Sequence, residues 1–163
     1  MAELTTSLMT FSDVDAVYAI ECACFSTPWS RESFTAEVTT NACARYIVAK
    51  EDNAVVAYAG VWFVLDEGHI TNIAVHPDKR RLGYGEIITR ALMQLASDSG
   101  MRYLTLEVRR SNTTAQSLYH KLGFIDVGFR KNYYADTHED ALIMATESLP
   151  TPNEENDPFL IIE

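Results

Sequence analysis

Apolar residues recur along this chain at two spacings, every second position and every third to fourth. The switches between them mark out its elements. Residues 3 to 9 read as a short strand. Ser12, with Asp15 three places on, resembles a capping box opening a helix whose apolar stripe is Val17, Ile20 and Cys24. The stripe fades at Ser26-Thr27-Pro28, and Ser30 caps a second, shorter helix through Phe34 and Val38. Tyr46 to Ala49 and Val55 to Leu65 are β-rich, split by a Glu51-Asp52-Asn53 turn. Asp66-Glu67-Gly68 turns the chain again, into Ile70 to Val75. From Tyr84 to Ser99 the clearest helix carries Ile88, Ala91, Leu92 and Leu95, and Gly100 stands at its stop. Arg102 to Val108 then alternates, with Leu104, Leu106 and Val108 facing one way and Tyr103, Thr105 and Glu107 the other. Asn112 or Thr113 starts a last helix with Ala115, Leu118 and Leu122 inward and Gly123 at its end. Strands over Phe124 to Arg130 and Ala141 to Thr146 close the pattern.

The order is strand, two helices, three strands, helix, strand, helix, two strands. It predicts an α/β (α+β) domain. The segment from Ile70 to Val108 needs a crossover connection, so its two strands are expected to be parallel. The remaining sheet is expected to be antiparallel. With 163 residues the chain is long enough for one domain with a proper core. That domain is expected over residues 1–149, followed by a flexible tail, 150–163, rich in acids and prolines. The tail's Phe159-Leu160-Ile161-Ile162 end is unexpectedly apolar, and docking on a partner or on the domain is the alternative to disorder.

Charge narrows the partners. The net charge is −10, from 13 basic and 23 acidic residues, and five of those acids fall in the last seventeen positions. Residues 1–146 keep 18 acids against the 13 bases. This surplus argues against a nucleic-acid surface and is compatible with a cationic substrate. No apolar run is long enough to span a bilayer. The first twenty residues lack the basic, apolar, small-residue order of an export signal, so a cytoplasmic protein is expected. Cys22, Cys24 and Cys43 have no framework spacing and His69, His76, His120 and His138 are scattered, so free buried thiols and no metal are expected.

The stretch His76-Pro77-Asp78-Lys79-Arg80-Arg81-Leu82-Gly83-Tyr84-Gly85 lies between a strand and the long helix. A helix start offers unpaired N–H groups and the positive end of the helix dipole. Two glycines allow close backbone approach, and Arg80 and Arg81 add charge, which suits a pyrophosphate. It matches neither the dinucleotide nor the P-loop spacing. As a pattern alone, such a turn can also just start a helix.

Arg80-x-x-Gly83-x-Gly85 after Ile73-Ala74-Val75 resembles the acyl-CoA signature of the GNAT acetyltransferases, and the likeness runs over roughly residues 3–147. Cys24-Phe25-Ser26-Thr27-Pro28-Trp29-Ser30, Leu106-Glu107-Val108-Arg109-Arg110-Ser111-Asn112, Arg130-Lys131-Asn132-Tyr133-Tyr134 and His138-Glu139-Asp140-Ala141 resemble one bacterial branch, the RimI-type ribosomal-protein-alanine N-acetyltransferases. The resemblance implies a mixed, mostly antiparallel sheet with a central parallel strand pair and helices on both faces. It also implies acetyl-CoA as co-substrate, bound by Ile73, Ala74, Val75, Arg80, Arg81, Leu82, Gly83, Tyr84, Gly85, Glu86 and Asn112. Leu82 stands where the family often has a further arginine, which shifts pyrophosphate binding toward the backbone and Arg81. The acceptor implied is a protein N-terminus, a small-subunit ribosomal protein beginning with alanine, and the enzyme a monomer or weak dimer.

The reaction needs a neutral amine, a stabilised oxyanion and a protonated leaving thiol. An α-amine, with a pKa of ~7.7–8.0 against ~10.4 for lysine, needs only a modest base. The resemblance makes Glu107 that base and Tyr119 the general acid, with the Val75 N–H as oxyanion donor. Residue type and spacing alone favour reading Glu107 as an exposed glutamate paired with Arg109 or Arg110, and read Tyr119 equally as core packing and Asn112 as an N-cap. Trp29 and Tyr133 are candidates for the amine-side groove, and Trp29 reads equally as a packing anchor. A small-molecule amine acetyltransferase and a non-catalytic acyl-CoA-binding module are the rival functions.

Overall fold

In the computed structural model, which describes residues 3–153, Thr10 rather than Ser12 opens the first helical segment. The Asp13 carboxylate accepts from the Thr10 backbone N–H at 2.9 Å and from its hydroxyl at 3.2 Å. A 3₁₀ turn, Phe11–Asp13, leads into α1, Val14–Cys24. The box therefore falls two residues upstream of the expected one, because Asp13 is the acid that turns inward, where Lys50 meets it at 3.0 Å. Ser30 caps α2 (Arg31–Thr39) as expected, accepting from the Ser33 N–H at 3.1 Å.

The strands are β1 (Leu4–Leu8), β2 (Ala44–Glu51), β3 (Ala54–Val64), β4 (Glu67–Val75), β5 (Tyr103–Arg109), β6 (Phe124–Arg130) and β7 (Ala141–Thr146). Two further helices are α3 (Tyr84–Asp98) and α4 (Thr113–Lys121). The strands form one mixed sheet in the order β1-β2-β3-β4-β5-β7-β6. The expected parallel pair is present: β4 runs alongside β5 with Glu67 opposite Tyr103 and His69 opposite Thr105. The pairings of β1 with β2, β2 with β3, β5 with β7 and β6 with β7 are antiparallel. β4 begins at Glu67, three residues before the expected Ile70. The turn is Leu65-Asp66, with Leu65 in the left-handed region at φ 57°, which frees Glu67 and Gly68 for the ladder.

By contact density the chain divides into two units, Met1–Trp62 with Ile70–Leu92, and Phe63–His69 with Met93–Glu163. In the first, Asp52 and Asn53 both take positive φ, the geometry that joins two twisted strands tightly. Tyr46 on β2 lies opposite Gly60 on β3. A side chain at Gly60 would enter the tyrosine ring, at 2.2 Å. Tyr46, Val48 and Tyr58 meet Val14, Val17, Ile20 and Phe34 in the core. Besides Asp13, two further acids are buried in this unit, Glu21 at 3% exposure and Glu37 at 9%. Tyr58 and the Trp29 N–H donate to Glu21. Trp62 Nε1 donates to Glu37 at 2.5 Å and Asn41 Nδ2 at 3.1 Å.

In the second unit, Leu104, Leu106, Val108, Phe124 and Met144 are buried. A bulge between Asp126 and Gly128 shifts the register of β6 on β7. Just past Leu149, Pro150 O accepts from Ser97 and Thr151 O from Gln94 at 3.1 Å, and Asn153 donates twice to Asp98. The expected Phe159–Ile162 apolar end lies outside the described residues.

The cysteines depart from expectation. Cys22 is exposed and Cys24 half-buried, because the inward face of α1 passes through Val14, Val17, Ile20 and Glu21; Cys43 is exposed in the turn between α2 and β2. Among the described residues no group of three or more metal-binding side chains converges, and no helix is long and apolar enough to cross a membrane.

Candidate active site

The candidate coenzyme turn follows β4. Ala74 is buried, with Ile73 and Val75 half-buried on either side of it. A 3₁₀ turn, Pro77–Lys79, is capped by His76, whose Nδ1 accepts from the Asp78 N–H at 3.1 Å. Arg81 and Gly83 then both take left-handed backbone, φ 65° and 81°. Nothing lies within 4 Å of where a Gly83 side chain would be. Ile87 N–H bonds back to Gly83 O at 3.1 Å, so the N–H groups just before it precede the helical ladder. An open, glycine-lined helix start with Arg81 exposed fits a phosphate-bearing ligand.

Neighbouring side chains fix this turn. Glu51, at the end of β2, accepts from Lys79 at 3.0 Å and from the Tyr84 hydroxyl at 2.5 Å. Those two donors hold its carboxyl below the ordinary carboxylate range. The Tyr84 hydroxyl thus serves the turn's own framework. Arg80 reaches back to Cys24 Sγ at 3.3 Å, and that thiol donates to Val75 O at 3.4 Å. Glu86 pairs with Arg90 one helical turn on, at 3.0 Å. Gly85 lies in the first turn of α3, and Leu82 is exposed. Trp29, on the loop before α2, is half-buried against Phe34 and Trp62, with ring centroids at 5.7 and 6.4 Å.

The candidate proton-transfer group belongs to the other unit. Glu107 stands on β5 between buried Leu106 and Val108, its side chain 10% exposed. Neither Arg109 nor Arg110 meets it. Arg109 is drawn to Asp136 at 2.9 Å and Arg110 to Asp140 at 3.5 Å. The partner of Glu107 is His69, Nε2 to Oε2 at 2.6 Å, with Arg130 at 3.7 Å from the other carboxylate oxygen. The His69 hydrogen bond holds the Glu107 carboxyl below its ordinary range, with Arg130 assisting and burial opposing.

Tyr119, on α4, packs against Phe124 with ring centroids at 5.5 Å. Burial, with the nearby Tyr134, pushes its hydroxyl up to about 12. Asn112 is the N-cap, accepting from the Ala115 N–H at 3.2 Å. Tyr133 is exposed and lies edge-on to Tyr134 at 5.1 Å. The more enclosed of the two is Tyr134, which lies under the Arg109 guanidinium at 4.0 Å. Burial pushes its hydroxyl to about 12 against that arginine, with the Glu107 charge adding to the rise.

Sequence reasoning passed over two of these groups. His69 falls between the Asp66-Glu67-Gly68 turn and the expected strand start at Ile70, and only the earlier start of β4 gives it a strand face beside Glu107. Tyr134 is indistinguishable from Tyr133 by residue type. The signal available was Arg109, whose planar cation stacks well on an aromatic face.

Residues 14–124 match the acetyltransferase (GNAT) family. A Bacillus subtilis relative, provisionally named a [ribosomal protein bS18]-alanine N-acetyltransferase, is 45% identical over 136 residues, 83% of this chain and 90% of its own. The crystal structure of the Escherichia coli ribosomal-protein-S18-alanine N-acetyltransferase superposes with a TM-score of 0.83 at 33% identity, covering 98% of this chain and 100% of that one. The PaiA N-acetyltransferase of Thermoplasma acidophilum, solved with coenzyme A, shares the fold at a TM-score of 0.74 and 14% identity, covering 88% and 98%. A strand, glycine-bearing turn and helix in the signature order, a mixed sheet with one parallel pair, and these matches lead to one conclusion: the chain belongs to the GNAT family of acetyltransferases.

Proposed function

We propose that this enzyme transfers the acetyl group of acetyl-CoA to the N-terminal α-amine of a protein, the alanine of a small-subunit ribosomal protein, in the cytoplasm, acting as a monomer or weak dimer. In this reading the turn from Arg80 to Gly85 and the helix start at Tyr84 bind the diphosphate, Ile73 to Val75 bind the pantetheine arm, and Asn112 adds a contact to the coenzyme. The Val75 N–H stabilises the oxyanion, Glu107 draws the proton from the amine, and Tyr119 protonates the leaving sulfur. Trp29 and Tyr133 border the amine.

The supporting observation is Glu107 itself, a nearly enclosed carboxylate kept ionised by a hydrogen bond from His69. Such a group suits an amine that is already partly neutral near physiological pH, which an α-amine is and a lysine is not. The relatives named for ribosomal-protein alanine acetylation support the choice of acceptor.

Incubation with acetyl-CoA and peptides differing only in their first residue, with a blocked lysine-bearing control, locates the acetyl group by mass. Acetylation of the alanine-first α-amine is expected; acetylation confined to lysine, or to small amines such as polyamines, overturns the reading. Glu107→Gln is expected to lower kcat by ~10²–10⁴ while coenzyme affinity, read by calorimetry, stays unchanged. Undiminished turnover in that variant removes Glu107 from the mechanism.

A further inference from the structure

We infer that the base of this enzyme is a pair, His69–Glu107, in which the proton taken from the substrate comes to rest on His69 and Glu107 orients and charges the imidazole. The inference rests on the function proposed above and deepens it.

The geometry carries it. A separation of 2.6 Å between His69 Nε2 and Glu107 Oε2 requires one proton between the two atoms, since two bare acceptors repel. With His69 neutral and Glu107 ionised, that proton is the imidazole's Nε2–H. The basic lone pair of the pair then lies on Nδ1, which makes no hydrogen bond among the described residues. The His69 side chain is 40% exposed against 10% for Glu107, so it is the ring that has an outlet to solvent. A carboxylate that holds one imidazole nitrogen protonated while the other accepts a proton is an arrangement recurring in acyl-transfer enzymes.

Proton affinity points the same way. Passing a proton from an α-ammonium to an ordinary carboxylate is uphill by about three to four powers of ten. Glu107 is held below that range, so it is a still poorer place for the proton to stay. Imidazole is the side chain that exchanges a proton near neutral pH. The other charged or titratable groups around the pair are few. Arg130 from β6 lies 3.7 Å from Glu107 Oε1, and Tyr134 from the β6–β7 loop feels the Glu107 charge. Glu67 and Tyr103, hydrogen-bonded to each other, share the strand face two and four residues away.

The proton balance closes. The ammonium gives one proton to Nδ1 of His69, directly or through one water. The freed lone pair forms the C–N bond to the thioester carbon, the C–S bond breaks, and the thiolate takes the hydroxyl proton of Tyr119. The nitrogen then sheds its second proton, which restores Tyr119. Amide, free thiol and one proton result, and that proton leaves from His69 to solvent.

Two measurements on the full chain test this. In ¹⁵N-histidine spectra, with the His69 signals assigned by their loss in His69→Gln, the neutral ring is expected as the Nε2–H tautomer in the wild type and as a tautomer mixture in Glu107→Gln. A wild-type ring protonated on Nδ1 overturns the inference. In kinetics with an alanine-first peptide, His69→Gln is expected to lower kcat by about 10–100-fold near neutrality. The acid limb of its kcat/KM profile should move up to the ionisation of the amine itself, while KM for acetyl-CoA holds. An unchanged kcat and limb in His69→Gln, with Glu107→Gln impaired, leaves Glu107 as the lone base and sinks only this inference. Unimpaired turnover in both variants sinks the underlying reading as well.

Discussion

Tyr119, the general acid of the proposed function, sits in an environment that suits both packing and proton donation. Its ring lies against Phe124, as its place beside the Ala115–Leu118–Leu122 stripe suggested, and the same enclosure raises its hydroxyl to about 12. A phenol so raised keeps its proton throughout the working range, which a donor to a thiolate requires. Tyr119→Phe is expected to reduce kcat by ~10²-fold, and the wild-type kcat is expected to show no alkaline loss from this group below about pH 10, since the folded value lies above it. Steady-state rates across pH check both. At this scale the sequence offered Glu107 and Tyr119 as candidates only through the family resemblance of their neighbours, Leu106-Glu107-Val108 and Leu118-Tyr119. His69 was not legible, because its meaning depends on which strand face it occupies.

Among the elements, the periodic stretches read correctly, as did the caps at Ser30 and Asn112, and two other junctions did not. The stripe through Ile88, Leu92 and Leu95 gave α3 nearly to the residue, and the alternation from Tyr103 to Val108 gave β5 and the direction in which Glu107 points. Errors gathered where single residues compete. Thr10 and Asp13 outbid Ser12 and Asp15 as the box because Asp13 alone also reaches Lys50. Leu65-Asp66 turned the chain with Leu65 in left-handed backbone, a conformation no pattern announces. The end of β2 carries a further consequence. Glu51 ties Lys79 and Tyr84 to a fixed place, so Glu51→Gln is expected to raise KM for acetyl-CoA several-fold with little change in kcat, in initial-rate measurements. Because those donors depress the Glu51 carboxyl, the tie holds above the ordinary value of 4.5 and is lost as pH falls through the lowered one.

For the molecule as a whole, the chain's apolar pattern foretold one mixed sheet and its parallel pair. It gave no warning that Glu21 and Glu37 would be buried. Both occupy inward helical positions, where a residue-type rule expects Leu or Ala, and both are accepted because Trp29, Tyr58, Asn41 and Trp62 supply donors. Nor did composition mark Pro150 to Asn153 as a strap on α3. Truncation after Leu149 is expected to lower unfolding stability by about 1–2 kcal/mol through its lost hydrogen bonds, with kcat retained. Urea titration against a chain ending at Asn153, which keeps those bonds, reads the difference.

The outward placement of Cys22 and Cys43 bears on how turnover can be followed at all. A chromogenic sulfhydryl reagent that reports released coenzyme also meets two accessible protein sulfhydryls per molecule. Each assay therefore carries a background proportional to enzyme concentration, and air-oxidised stocks are prone to covalent cross-linking through the same groups. Replacing both with serine removes that exposed background and leaves only the half-buried Cys24, which is engaged with Arg80 and Val75 O.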